Sequence, residues 1–311
     1  SIPADLNFTL NSSSINSTFN FTFNNQSLNF SGVSGKTYSF ICIATDTASN
    51  IEVQAPVAEA ETHTTTVSSC RDDPNIAGTW KVTQNLTSTG TCLEILSDNI
   101  VLDCQGHRTL GDITGSGILA NVKKNITIKN CILQNFTYGI FFNKVNQSQV
   151  INNRANDIHN IGFNSQPSSY NIFINNSANN GNVGFSLQPL SNNNIFISNT
   201  ANGNSFYGFI LAASSNNTFI SNTANSNNES GFILDRTSNF NIFIDNTANN
   251  NGLNSRFGFP IGFFVSSSSN NIFINNTAKS NDFGFFVSSS FNNTLISNKI
   301  ENNRNLGISF S

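Results

Sequence analysis

Between Asn171 and Asn298 one short alternation of apolar and polar residues recurs six times: NIFINNSAN, NIFISNTAN, NTFISNTAN, NIFIDNTAN, NIFINNTAK and NTLISNKIE. The copies begin at Asn171, Asn194, Asn217, Asn241, Asn271 and Asn293, at intervals of 23, 23, 24, 30 and 22 residues. Segments in the same phase open earlier at Asn99 (NIVLDCQGH), Asn125 (NITIKNCIL) and Ser148 (SQVINNRAN). About half a period after each comes a glycine followed by Ile or Phe: Gly117, Gly139, Gly162, Gly184, Gly208, Gly231, Gly262, Gly284 and Gly307. Short alternating runs between turn formers predict strands and not helices. Self-similarity at this period predicts a solenoid in which each repeat is one coil. A coil of 22–24 residues is too short for a strand plus a packed helix, so the pattern predicts an all-β parallel β-helix of about nine coils.

Columns through the stack predict which side chains face inward. Leu102, Ile128, Ile151, Ile174, Ile197, Ile220, Ile244, Ile274 and Ile296 form an unbroken aliphatic column, expected in the core. Two residues on, Cys104, Asn130, Asn153, Asn176, Asn199, Asn222, Asn246, Asn276 and Asn298 share that parity, and inward Asn can bond one another as an amide ladder. Ile132, Ala155, Ala178, Ala201, Ala224, Ala248 and Ala278 follow at a tight corner. The opposite parity puts Phe173, Phe196, Phe219, Phe243 and Phe273 outside, as an apolar stripe about 20 Å long at the inter-strand spacing. A bare stripe of that kind marks an interface.

Composition narrows the function classes. The 311 residues carry a net charge of −3 and only 10% charged side chains, far below the usual quarter. No basic patch suits nucleic acid, and no apolar run of membrane-spanning length occurs. No cofactor motif is found. Met is absent even at position 1, which is expected of a processed chain or a fragment. Fifteen Asn-X-Ser/Thr sequons are candidates for covalent N-glycans: Asn7, Asn11, Asn16, Asn20, Asn25, Asn29, Asn85, Asn125, Asn135, Asn146, Asn175, Asn216, Asn228, Asn275 and Asn292. Of five cysteines, Cys70 and Cys92 bracket the segment before the first coil, and Cys104 and Cys131 lie in neighbouring coils one residue out of phase, so both pairs are expected as disulfides and Cys42 is left over. Two disulfides fit an oxidising, extracellular or cell-surface location.

Four regions are expected: 1–58, β-rich but not solenoidal; 59–69, a polar linker containing His63; 70–98, a cap over the first coil, with Trp80 on its core; and 99–311, the solenoid. Within the first, GKTYSFICIATDTASNIE resembles the terminal strands of fibronectin type III or immunoglobulin-like surface modules, which would make 1–58 an incomplete sandwich needing a partner. From Cys70 onward, AGTWKVTQNLTSTGTCLEI, DNIVLDCQGHRTLGD and the repeated NxFIxNTAN…GF resemble the NosD-like right-handed parallel β-helix family. That resemblance implies right-handed coiling, export and a carbohydrate-associated or scaffolding role. The family's loose link to copper lacks support here, because His63, His107 and His159 are isolated and Met is absent. Residues 249–261 insert about seven extra residues into one coil and are expected to protrude, as binding loops of solenoids do.

Polysaccharide lyases and hydrolases on such folds need paired or clustered carboxylates. The acids Glu229, Asp235, Asp245, Asp282 and Glu301 do not pair on adjacent coils, and Asp103, His107 and Asp112 form the only polar cluster. These observations lead to the expectation of a non-enzymatic, N-glycosylated extracellular structural protein, a self-assembling filament or surface-layer subunit whose residues 1–58 join head to tail with the Phe stripe or the open β-helix end of the next copy. The alternative is a carbohydrate-binding adhesin module; a lyase or hydrolase ranks third.

Overall fold

A computed structural model describes residues 64–252 and 260–311 in full, and the backbone of four strands before them. Two units are distinguished, Ser1–Thr62 and His63–Ser311. In the first, Ser17–Phe23 pairs antiparallel with Gln26–Gly32, and Cys42–Thr45 pairs antiparallel with Ile51–Gln54. The side chains of these hairpins lie outside the described residues, and with them Cys42, His63 and the sequons Asn7, Asn11, Asn16, Asn20, Asn25 and Asn29.

The second unit is a right-handed parallel β-helix, and every strand pairing in it is parallel. Sheet 1 has eleven strands and runs from Thr64–Val67 through Gly78–Val82, Ile172–Ile174 and Ile195–Ile197 to Thr294–Ile296. Sheet 2 has ten, from Leu93–Ile95 through Tyr207–Ala212 and Ile261–Ser266 to Leu306–Phe310. The third side is a four-stranded and a three-stranded segment, joined by single bridges from Arg154 through Ser177, Thr200 and Thr223 to Thr247. The region expected as a cap is itself a coil: Gly78–Val82, Leu86–Thr87 and Leu93–Ile95 each pair with the next coil. The described residues thus make ten coils, one more than the glycine landmarks mark. Thr64–Val67, expected within a linker, adds a further parallel strand to Gly78–Val82. Trp80 stands in register with Leu102, buried over it, and its Nε1–H donates to the Ile76 carbonyl at 3.0 Å.

The expected parity of sheet 1 is reversed. Phe173, Phe196, Phe219, Phe243 and Phe273 are 0–2% exposed and form the core, not an interface. Their rings stack face to face at 4.5–5.0 Å. A second stack from sheet 2 (Phe163, Phe185, Phe209, Phe232, Phe263, Phe285) meets it edge to face, with centroids at 5.5–6.0 Å. Ile174, Ile220 and Ile244 face outward yet are only 4–8% exposed, so this face leaves little apolar surface bare in its middle coils. The head-to-tail contact expected through the stripe therefore loses its surface.

The cause of the reversal is the corner. Asn175, between Ile174 and Asn176, has φ 53°, as do its equivalents Asn152, Ser198, Ser221, Asp245 and Asn275 within a few degrees. One left-handed residue turns the chain, so the residues on either side of it no longer share a face as they would in a strand. Asn176 is inward as expected, but Phe173 is inward with it. In the segments before Ser148 the motif itself is displaced by one residue, so Leu102 and Ile128 stand in register with Val150 and Phe173 and not with Ile151 and Ile174.

Three buried amide ladders brace the corners. In the ladder of Asn153, Asn176, Asn199, Asn222, Asn246 and Asn276, each Oδ1 accepts both the backbone N–H and the Nδ2–H of the preceding rung at 2.8–3.0 Å. Asn171 through Asn271 and Asn204 through Asn281 repeat the device. Cys131 donates its N–H to Asn153 Oδ1 and so occupies the next rung position, and its disulfide to Cys104 continues that column; Cys70 joins Cys92. The alanine column packs against the glycines of sheet 2, where a Cβ on Gly208 would lie 2.7 Å from that of Ala224.

Candidate functional site

Sheet 2 presents the face on which chemistry can be built. Outward residues in successive coils follow one another in register, with Tyr138, Ile161, Val183 and Tyr207 in one column and Phe141, Asn164, Ser186, Ile210, Ile233, Phe264 and Phe286 in the next. Where Tyr207 meets the following coils there is a groove of about 270 Å³. Tyr207, Glu229 and Ser230 form its polar side, and Ile233, Ile261, Phe264 and Phe286 its apolar side. Glu229 is 7% exposed. Its backbone N–H donates to the Phe206 carbonyl, and Gly208 N–H donates to Ser230, which fixes these two coils against each other beside Tyr207.

Burial, then the negative charges of Glu229 and Asp235, push the Tyr207 phenol above its ordinary value of 10.0. Like an ordinary phenol it carries its proton at neutral pH, and its O–H can donate a hydrogen bond. Asp235 pairs with Arg236 at 3.5 Å at the rim. The groove therefore combines two aromatic rings that meet edge to face, a phenol and a buried carboxyl, residue types that can pack a sugar ring and move a proton on it. Asn164, on the same face, is 5% exposed, and its Oδ1 has no hydrogen-bond partner. Tyr207 and Glu229 are 22 residues apart, about one coil, an offset that sets a phenol, not a second carboxylate, beside the carboxyl.

A second concavity, about 590 Å³, lies at the corner between sheet 1 and the third side and spans three coils. Arg154 is its only charged lining residue, among Asn152, Asn156, Asn175, Asn179 and Thr200.

Other residues singled out by sequence have structural roles. Asp103 pairs with Lys129 at 3.8 Å and accepts from Asn130, and Asp112 caps Gly90 and Thr114, so they brace turns near His107 and do not converge. Hydrogen bonds from Thr114 and then Gly90 hold the Asp112 carboxyl below its ordinary range. Among the described residues no group of three or more His, Cys, Asp or Glu could hold a metal, and no helix is long and apolar enough to cross a membrane. Asn85, Asn125, Asn135, Asn146, Asn175, Asn216, Asn275 and Asn292 are exposed, and Asn228 is half-buried. Asn175, Asn216, Asn275 and Asn292 each occupy a left-handed corner, followed by a ladder Asn and an outward Ser or Thr. The coil geometry thus produces the sequon pattern unaided. The segment 253–259, most of the expected protruding insertion, lies outside the described residues; Ile261, just after it, lines the groove.

The family described as right handed beta helix region matches residues 116–259. No curated protein matches. Among solved structures, the chain is similar to a periplasmic alginate epimerase, AlgG, with TM-score 0.52 and 14% identity over 73% of this chain and 74% of that one. It is also similar to the A-module of the Azotobacter vinelandii mannuronan C-5 epimerase AlgE4 (TM-score 0.50, 13% identity, 79% and 86% covered). An alginate lyase from Paenibacillus sp. str. FPU-7 is similar too (TM-score 0.53, 12% identity, 78% and 98% covered). The expectation of a non-enzymatic chain is overturned by these matches, which are polysaccharide-modifying enzymes on the same stack of coils. That expectation rested on the lack of stacked carboxylate pairs, a test that a phenol–carboxyl set does not meet. At such identities the likeness is one of architecture: the chain has the right-handed parallel β-helix fold.

Proposed function

We propose that the chain binds a polysaccharide along the outer face of sheet 2 and acts on it by proton transfer at the Tyr207–Glu229 groove. One observation carries the proposal: a phenol, a buried carboxyl and two Phe rings line a single groove on the outer face. Phe264 and Phe286 offer ring faces to a sugar, Tyr207 donates a proton to a glycan oxygen, and the Glu229 carboxyl accepts one. The likeness to alginate epimerases and an alginate lyase supports a polysaccharide as the ligand class. Two disulfides support a location outside the cytoplasm, and the exposed sequons are compatible with N-glycans on an exported chain.

The test is a panel of polysaccharides incubated with the full chain and with Tyr207→Phe, Glu229→Gln and Phe264→Ala, followed by product analysis and binding measurements. Turnover lost in Tyr207→Phe with binding kept, and binding weakened in Phe264→Ala, is the expected pattern. A glycan that binds without turnover would make the chain a carbohydrate-binding module. Turnover unaffected by both Tyr207→Phe and Glu229→Gln would place the chemistry elsewhere and sink the assignment.

A further inference from the structure

The corner concavity has a chemistry opposite to that of the groove. Several of its amide oxygens are already engaged: Asn156 Oδ1 accepts the Asn179 N–H at 3.1 Å, and Asn179 Oδ1 accepts the Asn202 N–H at 2.8 Å. Asn176 Oδ1 is taken by Asn153, and its Nδ2 by the Val150 carbonyl and Asn199. The Nδ2 donors of Asn156 and Asn179 and the side-chain amides of Asn152 and Asn175 make no hydrogen bond among the described residues, while the backbone N–H groups of the latter two are taken by the carbonyls of Ile174 and Ile197. Arg154 is exposed, and its guanidinium has no hydrogen bond or ion pair among them either. No carboxylate lines the concavity. In the same column, Arg108 stands two coils before Arg154, with Ile132 between them, about 10 Å away at the inter-strand spacing. Arg108 is also exposed, and its side chain has no hydrogen bond or ion pair among the described residues. Along the corner column the charge reverses only at Asp245, four coils beyond Asn152. The site is therefore rich in donors, cationic at one end and free of apolar lining, over a length of about 10 Å.

We propose that this concavity is a second glycan-contacting site, separate from the sheet 2 groove, that seats an oxyanion carried on a sugar against Arg154. The anionic group is a uronate carboxylate or a sulfate half-ester, both of which a planar guanidinium binds through paired N–H donors. The flanking amides and hydroxyls, lined up coil by coil, serve the sugar hydroxyls. A peptide would lack apolar anchor points here, and a free anion would leave the length of the concavity unused.

The experiment titrates the full chain with three oligosaccharides of equal length: an oligogalacturonate, a sulfated glycosaminoglycan fragment and an uncharged cello-oligosaccharide. The protein is produced without N-glycans, because Asn175 lines the site and is also a sequon. Binding of an acidic oligosaccharide and not of the uncharged one, weakened about tenfold or more by Arg154→Gln and progressively by salt, is the expected result. The tighter of the two acidic ligands identifies the anion's source. Arg154→Lys keeps the charge but not the paired donors, and should recover only part of the affinity. Equal binding of charged and uncharged ligands, or acidic binding untouched by Arg154→Gln, overturns the proposal. Tyr207→Phe and Phe264→Ala separate this site from the groove: acidic binding that survives them and falls only with Arg154→Gln belongs to the concavity, whereas acidic binding lost in Phe264→Ala and kept in Arg154→Gln belongs to the groove and refutes the second site alone.

Discussion

Asn222 sits in the middle of the longest amide ladder, and its removal has a cost that can be worked out bond by bond. Its Oδ1 accepts the Asn199 N–H at 2.9 Å and the Asn199 Nδ2–H at 3.0 Å. Its Nδ2 donates to the Phe196 carbonyl at 2.9 Å and to Asn246 Oδ1 at 3.0 Å. Asn222→Ala deletes all four, while the Asn222 backbone N–H keeps its bond to Asn246 Oδ1. The Asn199 N–H is left with no partner at a site that is 0% exposed. An unmatched buried donor costs about 1–3 kcal/mol, the Asn199 Nδ2 loses one of its two bonds, and the void adds to both. The sum is about 3–5 kcal/mol. Asn225→Ala is the control: its Oδ1 takes the Asn249 N–H at 2.8 Å, but the site is half-buried and water can replace it, so about 1 kcal/mol or less is expected. Equilibrium denaturation followed by circular dichroism gives the global shift, and hydrogen exchange resolved by peptide localises it, since a solenoid need not unfold in one step. An Asn222→Ala chain within 1 kcal/mol of the parent, or exchange no faster in the coils holding Asn199 and Asn246, would refute the view that the ladders stabilise the corners.

Four further outcomes follow. Gly208→Ala places a Cβ 2.7 Å from that of Ala224 and 2.6 Å from the Gly231 carbonyl oxygen, and should cost about 1–3 kcal/mol in the same denaturation assay. Reducing or deleting the Cys104–Cys131 bridge, which closes 27 residues, should cost about 3–4 kcal/mol and loosen exchange in the first coils. Tyr207 should ionise above the ordinary phenol value in a spectrophotometric titration, and Glu229→Gln should move it part of the way back. Because its folded pKa is raised, the associated stability is fully present below the unfolded phenol value and is lost as pH rises through the folded one. Asn164→Leu, which removes a buried unmatched acceptor, should leave stability unchanged or improved, while weakening glycan binding if that face is the site.

The repeat made the coil, its length and its all-β character visible in the sequence, because period and turn chemistry are local properties. The inward Asn column was visible too. Which of Phe173 and Ile174 faces inward was not, because that depends on the backbone of a single corner residue, Asn175, whose left-handed φ cannot be deduced from alternation. The region 70–98 reads in sequence as a cap, because the strands of its coil lack the Asn signature that marks later coils. The groove stayed hidden for a different reason. Tyr207 and Glu229 are ordinary residues until the stack brings one coil against the next, and Phe264 and Phe286 look, in sequence, no different from the buried Phe263 and Phe285 beside them.

The near-constant spacing of the ladder rungs also bears on how such a chain changes over evolutionary time. Asn176, Asn199 and Asn222 are 23 residues apart, and each rung bonds only to its immediate neighbours. Excising or duplicating 23 residues by unequal crossing-over joins Asn to Asn, Phe to Phe and Gly to Gly at the seam, so copy number can drift without a new packing problem to solve. A one-residue deletion has no such neutrality inside a strand, but at a corner it need only shift the position of one left-handed residue, as the corner at Gln105, one residue later in register than that at Asn130, illustrates. Lineages of this architecture should therefore differ mostly by whole coils and by corner insertions such as 249–261, while strand interiors keep their length.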